Sequence, residues 1–131
     1  MTGLDTNILV RYFMQDDPDR IGLAQEVIEG LSPGEPGWIC LPVLVELVWV
    51  LIRTYRLKKP AVAYVIETLL RNQDLRLEQA DSVRISLRLF RDGRADFQDC
   101  LIATVTKGAG CARTVTFDEA AARSTDMELL S

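Results

Sequence analysis

The stretch Trp38-Ile39-Cys40-Leu41-Pro42-Val43-Leu44-Val45-Glu46-Leu47-Val48-Trp49-Val50-Leu51-Ile52-Arg53-Thr54-Tyr55 decides the fold. Trp38 to Leu41 is a short apolar strand candidate. Pro42 follows at once and suits the first turn of a helix, where its missing N–H costs nothing. The helix should run to about Tyr55. A strand that passes straight into a helix is half of a parallel β-α-β unit.

The same order repeats on both sides. Upstream, Met1 to Leu4 is a short apolar entry ending in the polar triplet Asp5-Thr6-Asn7, and Ile8 to Phe13 reads as a brief helix. Asp17-Pro18 has the form of an N-cap with Pro at the first helical position. That helix should reach about Leu31, with Ile21, Ala24, Val27, Ile28 and Leu31 on one face. Ser32 to Gly37, with Pro33, Gly34, Pro36 and Gly37, is a loop. Downstream come a helix from Pro60 to Asn72 and a strand at Leu75 to Glu78. An amphipathic helix from Gln79 to Phe90 closes near Gly93. A helix from Asp96 to Thr106 closes at Gly108 or Gly110. Cys111 to Thr116 reads as a strand, Asp118 to Arg123 as a short helix and Met127 to Leu130 as a last strand. This alternation predicts one domain over 1–131, of three-layer α/β/α architecture with a mainly parallel central sheet. In such sheets the functional crevice lies at the carboxyl ends of the strands.

Composition narrows the chemistry. The chain has 131 residues, 15 cations, 19 acids and no histidine, for a net charge of −4. Bulk charge therefore does not drive binding to nucleic acid or to an acidic membrane, although a local basic patch would. Without histidine there is no Ser-His-Asp or Cys-His mechanism and no His-ligated zinc. Cys40, Cys100 and Cys111 lack CxxC spacing and read as small apolar residues in a reducing compartment. Asp5 interrupts any signal-peptide pattern. The longest apolar run, Leu41 to Ile52, contains Glu46 and is too short to span a bilayer. A cytoplasmic protein without a membrane partner is the expectation.

The acids then carry the argument. The helical neighbours of Glu46 are Pro42, Val43, Trp49 and Val50, all apolar. Either that helix shows an apolar surface or Glu46 points into a partly buried site that needs a cation. Trp49 and the aliphatic residues around it are most simply core. Asp96 and Asp99 are three apart at a helix start and share a face. Each has a structural alternative: Asp96 as N-cap, Asp99 in a first turn favoured by the helix dipole. Asp5 also falls on a capping triplet. Thr116 and Glu119 fit a capping box, which would put Asp118 in the first turn. Asp16 and Asp17 precede Pro18 and read as capping. If the remaining acids converge, each pair of carboxylates ~4 Å apart repels by about 4 kcal/mol at an effective dielectric near 20. A hard divalent cation reverses that sign. An all-oxygen set suits Mg2+ or Mn2+, and hydrolysis of a phosphodiester is the natural reaction.

These residues resemble a known family. Gly3-Leu4-Asp5-Thr6-Asn7-Ile8-Leu9-Val10, Glu46 in its apolar helix, Ala95-Asp96-Phe97-Gln98-Asp99-Cys100-Leu101-Ile102-Ala103 and Thr116-Phe117-Asp118 look like the PIN-domain nucleases. More narrowly, they look like the VapC-type toxins of type II toxin–antitoxin pairs. The four motifs stand in order over essentially the whole chain. The resemblance implies an endoribonuclease dependent on Mg2+ or Mn2+ that leaves 5′-phosphate and 3′-hydroxyl ends. Asp5, Glu46, Asp99 and Asp118 match the family's metal-holding, catalytic acids, and Asp96 an additional acid. Thr6, Asn7 and Thr116 match supporting polar residues. A homodimer and a small VapB-type antitoxin are implied as well.

Arg53, Arg56, Lys58 and Lys59 flank Tyr55 and could contact RNA, with Tyr55 stacking on an unpaired base. A solvated helix end is the plainer reading. Arg84, Arg88 and Arg91, with Arg94 beyond, read as the wet face of an amphipathic helix. Two other functions stand beside the nuclease. One is a PIN scaffold that binds RNA or protein without cutting. The other is a Mg2+-dependent phosphatase with Asp5 as nucleophile, which Asn7 disfavours because such enzymes place a second Asp there.

Overall fold

The computed structural model describes all residues from Met1 to Ser131. The chain divides into two compact units, Met1–Glu78 and Gln79–Ser131. No helix is long and apolar enough to cross a membrane.

Unit 1 holds β1 (Thr2–Gly3), α1 (Thr6–Met14), α2 (Pro18–Glu29), β2 (Gly37–Ile39), α3 (Leu41–Arg53), α4 (Lys59–Arg71) and β3 (Leu75–Leu77). The strands lie in the order β1-β2-β3, and both pairings are parallel. Gly3 is opposite Trp38, and Ile39 is opposite Leu77. Parallel neighbours need crossovers, which α1–α2 and α3–α4 supply. Gly37 is obligatory at the centre: a Cβ there would meet side-chain carbons of Leu31, Leu4 and Leu75 at 2.9 Å. Its absent side chain lets those leucines close over the sheet. Ile39, Leu75 and Leu77 point inward while Trp38 and Arg76 point outward, the period-2 pattern of a strand.

The helices bury narrower faces than their composition suggests. α3 buries Leu44, Leu47, Val48 and Leu51, an i, i+3, i+4, i+7 stripe. Trp49 stands off that stripe and is 52% exposed, so it is not core as expected. Ile52 is exposed too, and Glu46 lies on the far side of the helix from the buried stripe. The face of α3 opposite the stripe thus carries both Glu46 and exposed apolar residues. α2 buries only Ala24 and Ile28, and Val27, expected on its inner face, is exposed. Asp17 caps α2 through Asp19 N at 3.1 Å with Pro18 at the first position, as read from the sequence. α3 has no cap from Cys40; Glu78 Oε1, just past β3, accepts from Leu41 N at 2.8 Å instead. A carboxylate at a helix N-terminus satisfies an orphan donor and the dipole together.

Unit 2 holds α5 (Ala80–Asp92), α6 (Phe97–Gly108), β4 (Val115–Thr116), α7 (Glu119–Ser124) and β5 (Glu128–Leu129). α5 and α6 pack as a pair. Phe90 and Phe97 meet edge to face at 5.8 Å, and the buried Ser86 hydroxyl donates to the Ser82 carbonyl at 2.7 Å. β4 and β5 pair in parallel. Ala103, Ala121 and Met127 form a small buried cluster joining α6, α7 and the approach to β5. β4 is shorter than the strand expected from Cys111, because Gly110, at φ +93°, turns the chain and Cys111 to Arg113 remain exposed. Cys100 is buried and Cys40 partly so, but exposed Cys111 departs from the expected apolar role; all three are free thiols. The α/β class with parallel strand pairing, read from the sequence, is thus observed.

Candidate active site

In unit 1 the acids sit beyond the carboxyl ends of the strands. Asp5 follows β1 and is the N-cap of α1, its Oδ1 accepting from Thr6 N at 2.7 Å. α1 therefore starts two residues earlier than expected, and Asp5 serves as cap and candidate site acid together. Asp5, Thr6, Asn7 and Glu46 line one cleft of about 300 Å³, whose other wall is Val10, Arg11, Val50, Thr54 and Tyr55. Thr6 is buried, and its Oγ1 has no hydrogen-bond partner. An orphaned buried hydroxyl beside two carboxylates is the kind of group a bound ion's water shell would satisfy.

The cleft's far wall was not foreseen. Tyr55 OH donates to Asp16 Oδ2 at 2.7 Å and accepts from Arg11 Nη1 at 3.2 Å. Arg11 Nη1 also bonds Asp16 Oδ1 at 2.8 Å. The Tyr55 bond, more than the Arg11 charge, holds the Asp16 carboxyl below the usual range. Tyr55's hydroxyl is thereby committed to the protein. The available signal was the spacing of Asn7 and Arg11, four apart on one helical face. Arg53, Arg56, Lys58 and Lys59 are absent from the cleft lining. Arg53 lies over the Trp49 ring at 5.9 Å. Arg56 takes φ 57° in the turn that ends α3, where Leu57 N returns to Leu51 O at 3.0 Å.

In unit 2 three acids gather. Asp96 occupies the N-cap position of α6, yet its carboxylate makes no capping bond. Capping therefore does not account for it. Asp99 is half-buried in the first turn. Burial first, then the charges of Asp96 and Asp118, hold its carboxyl above the ordinary carboxylate range. Asp118 is itself the N-cap of α7, with Oδ1 accepting from Ala120 N at 2.8 Å and Ala121 N at 3.2 Å. The capping box expected from Thr116 and Glu119 does not form. Thr116 Oγ1 instead accepts from Asp118 N at 3.0 Å, fixing the acid's backbone.

None of Asp5, Glu46, Asp96, Asp99 and Asp118 is in an ion pair, whereas Asp16, Asp17, Glu67, Asp81, Asp126 and Glu128 are. No three acidic or cysteine side chains of either unit close into a chelating group. The donor set is all oxygen and anionic, which fits a hard divalent cation and not a soft one.

Comparisons with known proteins place the chain in a family. The PIN domain family model matches residues 4–126. A VapC ribonuclease of Aquifex aeolicus (strain VF5) is 27% identical over 118 residues, covering 89% of this chain and 87% of that protein. With a match that runs from just after β1 through both acid-bearing regions to the end of α7, the chain belongs to the PIN domain family.

Proposed function

We propose that this protein is a Mg2+- or Mn2+-dependent endoribonuclease, the toxin of a type II toxin–antitoxin pair, and that residues 1–131 act as one PIN domain. The observation that carries the reading is Asp99. A carboxyl crowded by burial and by Asp96 and Asp118, with no cation of the protein beside it, is costly unless something positive binds there. Membership of the PIN family and the likeness to a VapC ribonuclease support the same conclusion.

In this reading Asp5 and Glu46 of unit 1, and Asp99 and Asp118 of unit 2, are the acids that hold one or two cations. A bound Mg2+ or Mn2+ would activate water and neutralise charge on the phosphate. Thr116 and the amides of Ala120 and Ala121 fix Asp118, and Thr6 N fixes Asp5. Preset side chains spare the reorganisation that mobile ones would cost. Thr6 Oγ1 and Asn7 orient solvent at the cleft. Asp96, free of a capping bond, is available to accept the water proton as the phosphate is attacked. The products carry 5′-phosphate and 3′-hydroxyl ends. Arg53, Arg56, Lys58 and Lys59 contribute to RNA contact outside the cleft. The partners are RNA, a second copy of the chain and a VapB-type antitoxin, in the cytoplasm.

The test is cleavage of total bacterial RNA by purified, antitoxin-free protein in Mg2+, Mn2+ or EDTA, with Asp5→Asn alongside. Discrete cuts that need both metal and Asp5 are expected. RNA binding without any metal-dependent cut would replace the nuclease with a PIN scaffold.

A further inference from the structure

Phe117 is 82% exposed, the highest value among the large apolar side chains left in water. Single exposed hydrophobes are ordinary and need no explanation by themselves. Position sets this one apart. Phe117 directly follows β4, at the strand's carboxyl end, and directly precedes Asp118. Its backbone is held on both sides. Thr116 O accepts from Leu130 N at 2.8 Å, and Thr116 Oγ1 accepts from Asp118 N at 3.0 Å. Asp118 in turn is tied to the α7 amides. The ring has no edge-to-face partner of the kind that Phe90 and Phe97 share. The fold therefore presents a bare aromatic ring on tethered backbone, in the residue next to a candidate site acid.

We propose that Phe117 is a stacking platform for an unpaired RNA base next to the scissile phosphate. This rests on the nuclease reading of Asp118. Adjacent Cα atoms are about 3.8 Å apart, so the ring is anchored next to the backbone of Asp118. A chain of net charge −4 with crowded acids repels a polyanion by long-range charge. Stacking supplies affinity without charge, and every base has a π face to offer. The surroundings suit a nucleotide better than an apolar protein patch. Thr116, whose hydroxyl is part-exposed beside the ring, offers a polar group to the sugar, while the charge of Asp118 and Glu119 opposes the phosphate unless a cation is bound.

Because Phe117 is exposed, its removal leaves the fold intact, which makes the test clean. Binding of a short fluorescent single-stranded RNA of mixed sequence is measured by anisotropy in an Asp118→Asn background, and cleavage kinetics in the otherwise wild-type protein. Phe117→Ala should weaken binding and raise KM by about tenfold with kcat little changed. Phe117→Tyr should retain wild-type values, and Phe117→Leu should behave like Ala. An abasic nucleotide at the stacked position should erase the difference between wild type and Phe117→Ala. Equal KM for Ala and wild type, in a protein that still cuts with metal, overturns the stacking role alone. Rescue by Leu equal to Tyr overturns it too and assigns the ring to a generic apolar, protein-facing contact. Absence of metal-dependent cleavage by wild type overturns the nuclease reading and this inference with it.

Discussion

Asp16 in unit 1 and Asp99 in unit 2 are both acids near a helix start, and their surroundings drive them in opposite directions. Tyr55 OH and Arg11 stabilise ionised Asp16 and lower its pKa. Burial and the charges of Asp96 and Asp118 raise that of Asp99. The first carboxylate has its counter-charges built in and clasps the start of α2 to the end of α3. The second has only like charges around it. An acid of the first kind holds the fold together, and an acid of the second kind costs stability until a cation arrives.

The largest expected effect breaks the pair apart by mutation. Asp99→Asn should lower metal-dependent cleavage by at least about a hundredfold. The same change should raise the melting temperature of the metal-free protein, since a neutral amide escapes both burial of charge and repulsion. Asp16→Asn should do the reverse, lowering the melting temperature while leaving cleavage within a few-fold of wild type. Melting shifts of the same sign in EDTA would dissolve the distinction.

Metal linkage sharpens it further. At about a hundred times its Kd, Mn2+ should stabilise the wild-type protein by about 2.7 kcal/mol. EDTA should reverse that gain. Asp16→Asn should keep the gain and Asp99→Asn should lose most of it. A full Mn2+ shift in Asp99→Asn would remove Asp99 from the ligand set and leave its raised pKa as a purely structural burden.

The two regions also differed in how far the sequence revealed them. Elements were legible because short apolar runs, Pro42, Pro60 and Asp17-Pro18 are local signals, and local signals fix where helices start. The acids were legible by type and order. Their company was not. Nothing local says that Tyr55 reaches Asp16 across 39 positions, or that Glu78 rather than Cys40 caps α3 across 37. Those are tertiary choices made by the crossovers. Trp49 shows the same limit from the other side. Its neighbours are apolar, so composition argued for core, but the buried stripe of α3 runs through Leu44, Leu47, Val48 and Leu51 and passes it by. The capping box at Thr116 failed for a smaller reason: Asp118 offers a stronger acceptor, two residues later, to the same helix start.

The smallest expected effect is in the pH dependence of the metal-free protein, and its sign separates the two acids. Asp99 has a raised folded pKa, so between the ordinary aspartate value, about 3.9, and that raised value the native state binds more protons than the unfolded one. Its contribution to stability falls as pH rises through that interval, and the penalty is complete above it. Asp16 has a lowered folded pKa, so its contribution is present in full above the ordinary value and is lost as pH falls below it. Denaturant unfolding in EDTA, measured stepwise from neutral to acidic pH, should therefore show the stability gap between wild type and Asp99→Asn closing first, while pH is still above about 3.9. The gap between wild type and Asp16→Asn should close only below that value. The order matters because both groups are aspartates with the same unfolded reference. Gaps that closed together would mean that neither burial nor the charges of Asp96 and Asp118 raise the Asp99 pKa in solution, and the case for a cation at that cluster would lose its electrostatic ground.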